Sequence, residues 1–97
     1  MIVETTDEFD DWLRRLKNRQ VRGRILDRIS RLRDRDQFGD VRSVGGPVRE
    51  MRIHTRPGYR LYFVQRGTTV VILLCGGDKD SQANNIATAK LLAEGLD

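Results

Sequence analysis

Glu50, Arg52 and His54 stand at every second position of one extended-looking segment, and Arg60 follows six residues after the last of them. Successive side chains of a strand point to opposite faces, so this carboxylate, guanidinium and imidazole share one side of the chain. These are groups that bind anions and move protons. The guanidinium fork matches phosphate and carboxylate, a desolvated carboxylate accepts a proton, and imidazole changes charge near neutral pH. Met51 and Ile53 point the other way, which makes residues 48–54 a half-buried strand. The plainer reading of the same residues is a solvated sheet face, whose cross-strand ion pairs are worth roughly a few tenths of a kcal/mol.

Three consecutive antiparallel strands must position these groups. Arg56-Pro57-Gly58 supplies turn chemistry, since proline presets φ and glycine accepts the positive φ of a tight reversal. Residues 59–65 form the second strand, Arg66-Gly67 reverses the chain again, and residues 68–75 form the third. The run VVILLC is apolar on both faces, which places that strand inside the sheet. Turn length decides the site. A two- or four-residue turn sends Arg60 to the face opposite Glu50 and Arg52. A three-residue turn over 56–58 sets His54 opposite Arg60 and gathers Glu50, Arg52 and Arg60 on one face. Tyr59, Leu61 and Phe63 then form the core face, and Tyr62 is exposed beside Arg60.

Residues 1–4 suit an edge strand. Thr5 with Glu8 fits a capping box, and Asp7 and Glu8 carry the negative charge that a helix N-terminus favours. Phe9, Trp12, Leu13 and Leu16 make one helical stripe, and Val21, Ile25, Ile29 and Leu32 make a second. The short break at residues 18–20 predicts a helical hairpin with one shared core. Residues 34–39 stop the second helix, and residues 40–44 open the sheet. Gly76-Gly77-Asp78 is a turn, Asp80 or Ser81 caps a last helix, and Ile86, Ala89, Leu92 and Ala93 form that helix's apolar face. The order is β-α-α-β-β-β-β-α. It predicts an α+β fold, an antiparallel twisted sheet of about four to five strands with the N-terminal hairpin on one face and a C-terminal helix. With the helices on the Met51 and Ile53 side, the Glu50 face is expected to be open.

At 97 residues the chain has room for one domain, residues 1–97. Its net charge is +4, and arginine greatly outnumbers lysine among its 18 basic residues. That balance favours nucleic acid or an acidic protein as partner over a membrane. One cysteine excludes an internal disulfide, and Cys75 at the end of an apolar strand reads as a small hydrophobe rather than a nucleophile. One histidine and no close set of carboxylates around it predict no metal and no cofactor. The first residues, MIVETTDEF, lack the features of a signal peptide, and no apolar run approaches the ~20 residues of a membrane span. The expectation is a cytoplasmic chain with no membrane contact.

The segments EMRI (Glu50–Ile53), PGYRLYF (from Pro57) and CGGDKDSQ (from Cys75), with Phe9, Trp12 and Leu13 near the start and Gly39-Asp40 before the sheet, form a joint pattern. On it the chain resembles the phage-derived, HigB-like addiction-module killer proteins of the RelE/ParE toxin superfamily. The resemblance implies a toxin of a type II toxin–antitoxin pair, with two helices on a twisted antiparallel sheet. Its partners would be a cognate antitoxin protein, the ribosome and messenger RNA. Many members cleave messenger RNA on the ribosome without metal, the ribose 2′-OH attacking the adjacent phosphate. Arg60 matches the arginine that binds the scissile phosphate, Arg52 adds a second guanidinium, and Glu50 is the candidate general base. Lys79 replaces the tyrosine or histidine that often serves as acid, and the catalytic set is Glu50, Arg52, Arg60 and Lys79. His54, Tyr59 and Tyr62 are the substrate contacts, with Tyr59 placed to stack a base. Two other readings stand beside the endoribonuclease: a toxin that inhibits DNA gyrase, and an inactive antitoxin-binding regulatory module. The resemblance leaves the cleavage sequence and the oligomeric state open.

Overall fold

A computed structural model describes residues 1–96 of the chain. Thr6 caps the first helix, α1 (Asp7–Arg15): its hydroxyl accepts the Phe9 N–H at 3.0 Å. The cap therefore lies one residue beyond the expected Thr5, because Thr5 belongs to the first strand, β1 (Ile2–Thr5). Three acids in the first turn and two arginines in the last complement the helix dipole. Asn18 restarts the chain as α2 (Arg19–Arg35), its side-chain oxygen accepting from the N–H groups of Gln20 and Val21. Asp36 ends α2 in the left-handed conformation, φ 54°. Phe9, Val21, Ile25 and Leu32 are buried against the sheet, with Trp12, Leu13, Leu16 and Ile29 packed around them. Both predicted stripes share one core.

The sheet continues with β2 (Val41–Ser43), β3 (Arg49–Ile53), β4 (Tyr59–Arg66) and β5 (Val70–Asp78), and α3 (Gln82–Glu94) closes the chain. Strand order is β1-β5-β4-β3-β2. The four later strands are antiparallel neighbours, but β1 joins the edge of β5 in parallel. This departs from the all-antiparallel expectation, because the α1–α2 hairpin intervenes between β1 and the rest of the sheet and lets it enter from the same end as β5. The α+β architecture, with the helical hairpin on one face and a C-terminal helix, is as predicted.

The second sheet face is not open. Tyr62, Val64, Ile72, Leu74, Cys75 and Val48 form another buried cluster with Ala89, and Ile86, Leu92 and Ala93 of α3 pack onto it. The helix placed by those apolar residues thus covers the Glu50 side, while α1 and α2 cover the Met51 and Ile53 side. A register shift between Tyr62 and Phe63 leaves Leu74 unpaired on β5, since Tyr62 pairs Cys75 and Phe63 pairs Leu73. Leu74 and Cys75 consequently both serve the α3 core. Beyond them, a side chain at Gly76 would lie 2.4 Å from the Trp12 ring, and one at Gly77 would meet Asn85 and Ser81 of α3's first turns. The paired glycines let an indole and a helix approach β5 from opposite sides.

Candidate anion site around Glu50

Ile53 pairs with Tyr59, so the β3–β4 loop holds the five residues 54–58 rather than three. The count is still odd. Arg60 therefore shares a face with Glu50 and Arg52, and its cross-strand partner is Arg52 instead of His54. Two rows run across the sheet on this face: Arg42–Glu50–Tyr62–Cys75, and beside it Arg52–Arg60–Gly77.

Glu50 is the centre. It is completely buried, which an ionised carboxylate tolerates only when its oxygens are satisfied. Oε1 accepts from Arg42 Nε at 3.1 Å and lies 3.5 Å from Arg52 Nε. Oε2 accepts from the Tyr62 hydroxyl at 3.1 Å and from Gln82 Nε2 at 2.9 Å, with Arg60 Nε 3.6 Å away. Burial alone pushes the Glu50 carboxyl up, but the Gln82 and Tyr62 hydrogen bonds and the Arg42 and Arg60 charges outweigh it and hold the group below its ordinary value. Tyr62 moves the other way. Burial and the adjacent carboxylate push its phenol well above the usual range, so it is a fixed donor at neutral pH. Burial, then Glu8, pushes the Cys75 thiol up to about 11, which leaves it inert.

Three guanidiniums around one carboxylate leave two positive charges in excess. Arg60 retains 14% side-chain exposure and Arg42 50%, so the cluster grades from interior to surface. The Nε atoms of Arg52 and Arg60 are buried and form no hydrogen bond with the described protein atoms. The arrangement is therefore a site with net positive charge that reaches solvent through the side chains of Arg42, Arg52 and Arg60, suited to a phosphate or a carboxylate.

Not every predicted residue gathers here. Tyr62 is fully buried instead of exposed, because α3 lies over it, and its hydroxyl serves Glu50. Tyr59 lies on the other face, its ring 6.1 Å from that of Trp12. His54 pairs with Asp40, Nε2 to Oδ2 2.9 Å. Lys79 is exposed in the turn after β5, two positions beyond Gly77, the register partner of Arg60. Arg42 and Gln82 complete the cluster without having been foreseen. Gln82 ends the CGGDKDSQ pattern, and that was its only sequence signal. Among the described residues no group of three His, Cys, Asp or Glu side chains is placed to hold a metal ion, and no helix is long and apolar enough to cross a membrane.

Residues 11–94 match the family described as phage derived protein Gp49-like (DUF891). The chain belongs to that family. It is 46% identical over 94 residues to an uncharacterized protein of Haemophilus influenzae, a match spanning 97% of this chain and 94% of the relative. In three dimensions it is similar to the solution structure of the conserved hypothetical protein HP0894 from Helicobacter pylori. The TM-score is 0.55 at 18% identity, over 82% of this chain and 96% of that one. At that identity the likeness bears on the fold alone.

Proposed function

We propose that this Gp49-like chain is the toxin of a toxin–antitoxin pair, and that it cleaves messenger RNA on the ribosome with the Glu50 face against the scissile phosphate. One observation carries the reading. Arg52 and Arg60 are directly opposite each other on neighbouring antiparallel strands, where like charges destabilise the sheet. Their one shared anion, Glu50, also serves Arg42, so the cluster keeps two positive charges in excess; such an imbalance is expected at a functional site, and a phosphodiester supplies the further anion.

The chemistry we assign follows from the placement. Arg60 and Arg52 hold the phosphate and stabilise the charge that builds on it as the ribose 2′-OH, losing its proton to solvent, bonds to phosphorus and the P–O5′ bond breaks to leave a cyclic phosphate. Glu50, with both oxygens engaged and its proton affinity lowered, is a weak base and acts chiefly by orienting the guanidiniums. Lys79, exposed beside the end of the Arg52–Arg60–Gly77 row, is assigned to the leaving 5′-oxygen. A basic chain with arginine in this majority also suits a cognate antitoxin of acidic character.

The test is expression of the chain alone in bacteria, with primer extension on induced transcripts. Growth arrest with discrete cuts inside translated messages is expected, and Arg60→Ala at matched soluble level should abolish both. Equal arrest by the variant would remove the phosphate role. Intact messages together with broken DNA would replace the nuclease reading by gyrase inhibition.

A further inference from the structure

A second basic surface lies away from Glu50, on the side of the sheet that carries the helical hairpin. There α2 and the β3–β4 loop enclose a groove of about 480 Å³, lined by Val21 and Arg24 from the helix and by His54, Thr55 and Arg56 from the loop. It runs on through Arg24 and His54 into a lobe of about 290 Å³ that adds Asp27, Arg28, Arg31 and Ile53. Four arginines thus face one aspartate, and that aspartate is already paired with Arg31 at 3.0 Å.

Arg24 and Arg28 meet main-chain oxygens, and His54 meets Asp40. Arg24 donates to the His54 carbonyl at 3.1 Å, and Arg28 donates to the Arg52 and Phe38 carbonyls at 2.9 and 2.8 Å. Arg56 is exposed and pairs with no carboxylate among the described residues. Burial, and then the charge of Arg31, lowers the Arg28 pKa, although Asp40 and Asp27 act against it. The groove floor is different in kind: Val21 and Ile53 are buried apolar residues of the hairpin core.

Charged rims over an apolar floor select the ligand. Unpaired RNA is usually held by stacking its bases on aromatic rings, but no Phe, Tyr or Trp lines either lobe, and the one imidazole there, His54, is tied to Asp40 at 2.9 Å. A peptide has both parts needed here, carboxylates for the rim and an apolar side chain for the floor. We propose that this groove is the docking site of an acidic segment of a protein partner, which sets carboxylates on Arg24 and Arg56 and an apolar side chain over Val21 and Ile53. The proposal is independent of what the Glu50 face binds, and a partner seated here leaves the Arg52–Arg60 row uncovered.

The test is NMR titration of the labelled full chain with three probes: a short capped peptide of glutamate and leucine, the matched peptide of glutamine and leucine, and oligouridylate. The acidic peptide should shift the amides of Val21, Arg24 and residues 53–56, with an affinity that falls as salt screens the charges. The glutamine peptide should not. Arg24→Glu with Arg56→Glu should weaken the acidic peptide by about tenfold or more, whereas Arg60→Gln should leave its affinity unchanged. Arg24 and Arg56 are exposed and Arg60 is partly buried, and the amide spectra of the variants report whether the fold is kept. The proposal is overturned if the acidic peptide fails to bind at about millimolar concentration. It is equally overturned if that peptide maps to Arg42, Arg52 and Arg60, or if oligouridylate occupies the groove in its place.

Discussion

The Gln82 side-chain amide reaches back to Glu50 Oε2 at 2.9 Å, tying the first turn of α3 to the interior of β3. Among the influences that hold the Glu50 carboxyl below its ordinary value, this hydrogen bond is the foremost. A bond to a buried charge is worth about 1.5 kcal/mol or more. Gln82→Ala should therefore lower unfolding free energy by about that amount in urea titration. It should also raise the Glu50 pKa, read from the carboxyl resonance. An unchanged Glu50 titration would mean that α3 covers the site without tuning it.

Glu50 also sets an acid limit. A carboxyl with a folded-state pKa below its unfolded value binds fewer protons when folded, so it stabilises the chain above the unfolded pKa. Taking that value as 4.5, the contribution is complete above it and is lost as pH falls through the lower folded value. Protonation also leaves three arginines without their shared anion. Glu50→Gln should cost about 3 kcal/mol at neutral pH and flatten the stability profile below pH 4.5. A wild-type and variant pair with parallel profiles in acid would show that other carboxylates dominate.

Much of this fold was legible in the chain, and the failures share a cause. The hairpin stripes announced their own core, and Tyr59, Leu61 and Phe63 were placed on the face they occupy. The third stripe, Ile86 through Ala93, told that α3 would bury an apolar face, but no residue in it says which side of the sheet receives it. With α3 on the hairpin side Tyr62 would be exposed, whereas α3 lies on the opposite side and buries it completely. The odd loop put Arg60 beside Glu50, yet its true length of five depended on Ile53 and Tyr59 pairing. Leu74's bulge was hidden because VVILLC is apolar on both faces and carries no phase. Arg42 went unnoticed since its partner is set by strand pairing alone.

The two adjacent glycines should respond unequally to a methyl group. At Gly76 the added carbon meets three atoms of the Trp12 ring at 2.4 to 2.7 Å, and a rigid indole cannot yield without moving α1. At Gly77 the nearest atoms are the ends of Asn85 and Ser81, which rotate more easily. Overpacking of the first kind costs about 2 kcal/mol. Gly76→Ala should lose that much stability and change Trp12 fluorescence, while Gly77→Ala should lose less and leave the indole signal alone. Equal losses would indicate that Asn85 is as fixed as Trp12.

Arg60 offers the sharpest separation of function from stability. Its guanidinium faces Arg52 across the strand pair, its side chain is 14% exposed, and its Nε forms no hydrogen bond. Removing it deletes a like-charge contact and a buried unsatisfied donor, but it also withdraws one cation from Glu50. Arg42, Tyr62 and Gln82 still satisfy both carboxylate oxygens, so the loss at Glu50 is small. Arg60→Met keeps most of the side-chain volume. It should leave the urea midpoint unchanged or raise it, within about 1 kcal/mol, since functional sites commonly cost stability. RNA binding, followed by titration with a short non-cleavable oligonucleotide, should fall by about tenfold or more. A variant that unfolds more readily and binds RNA as before would make Arg60 a structural residue, and the anion site would then have to be sought at Arg42 and Arg52.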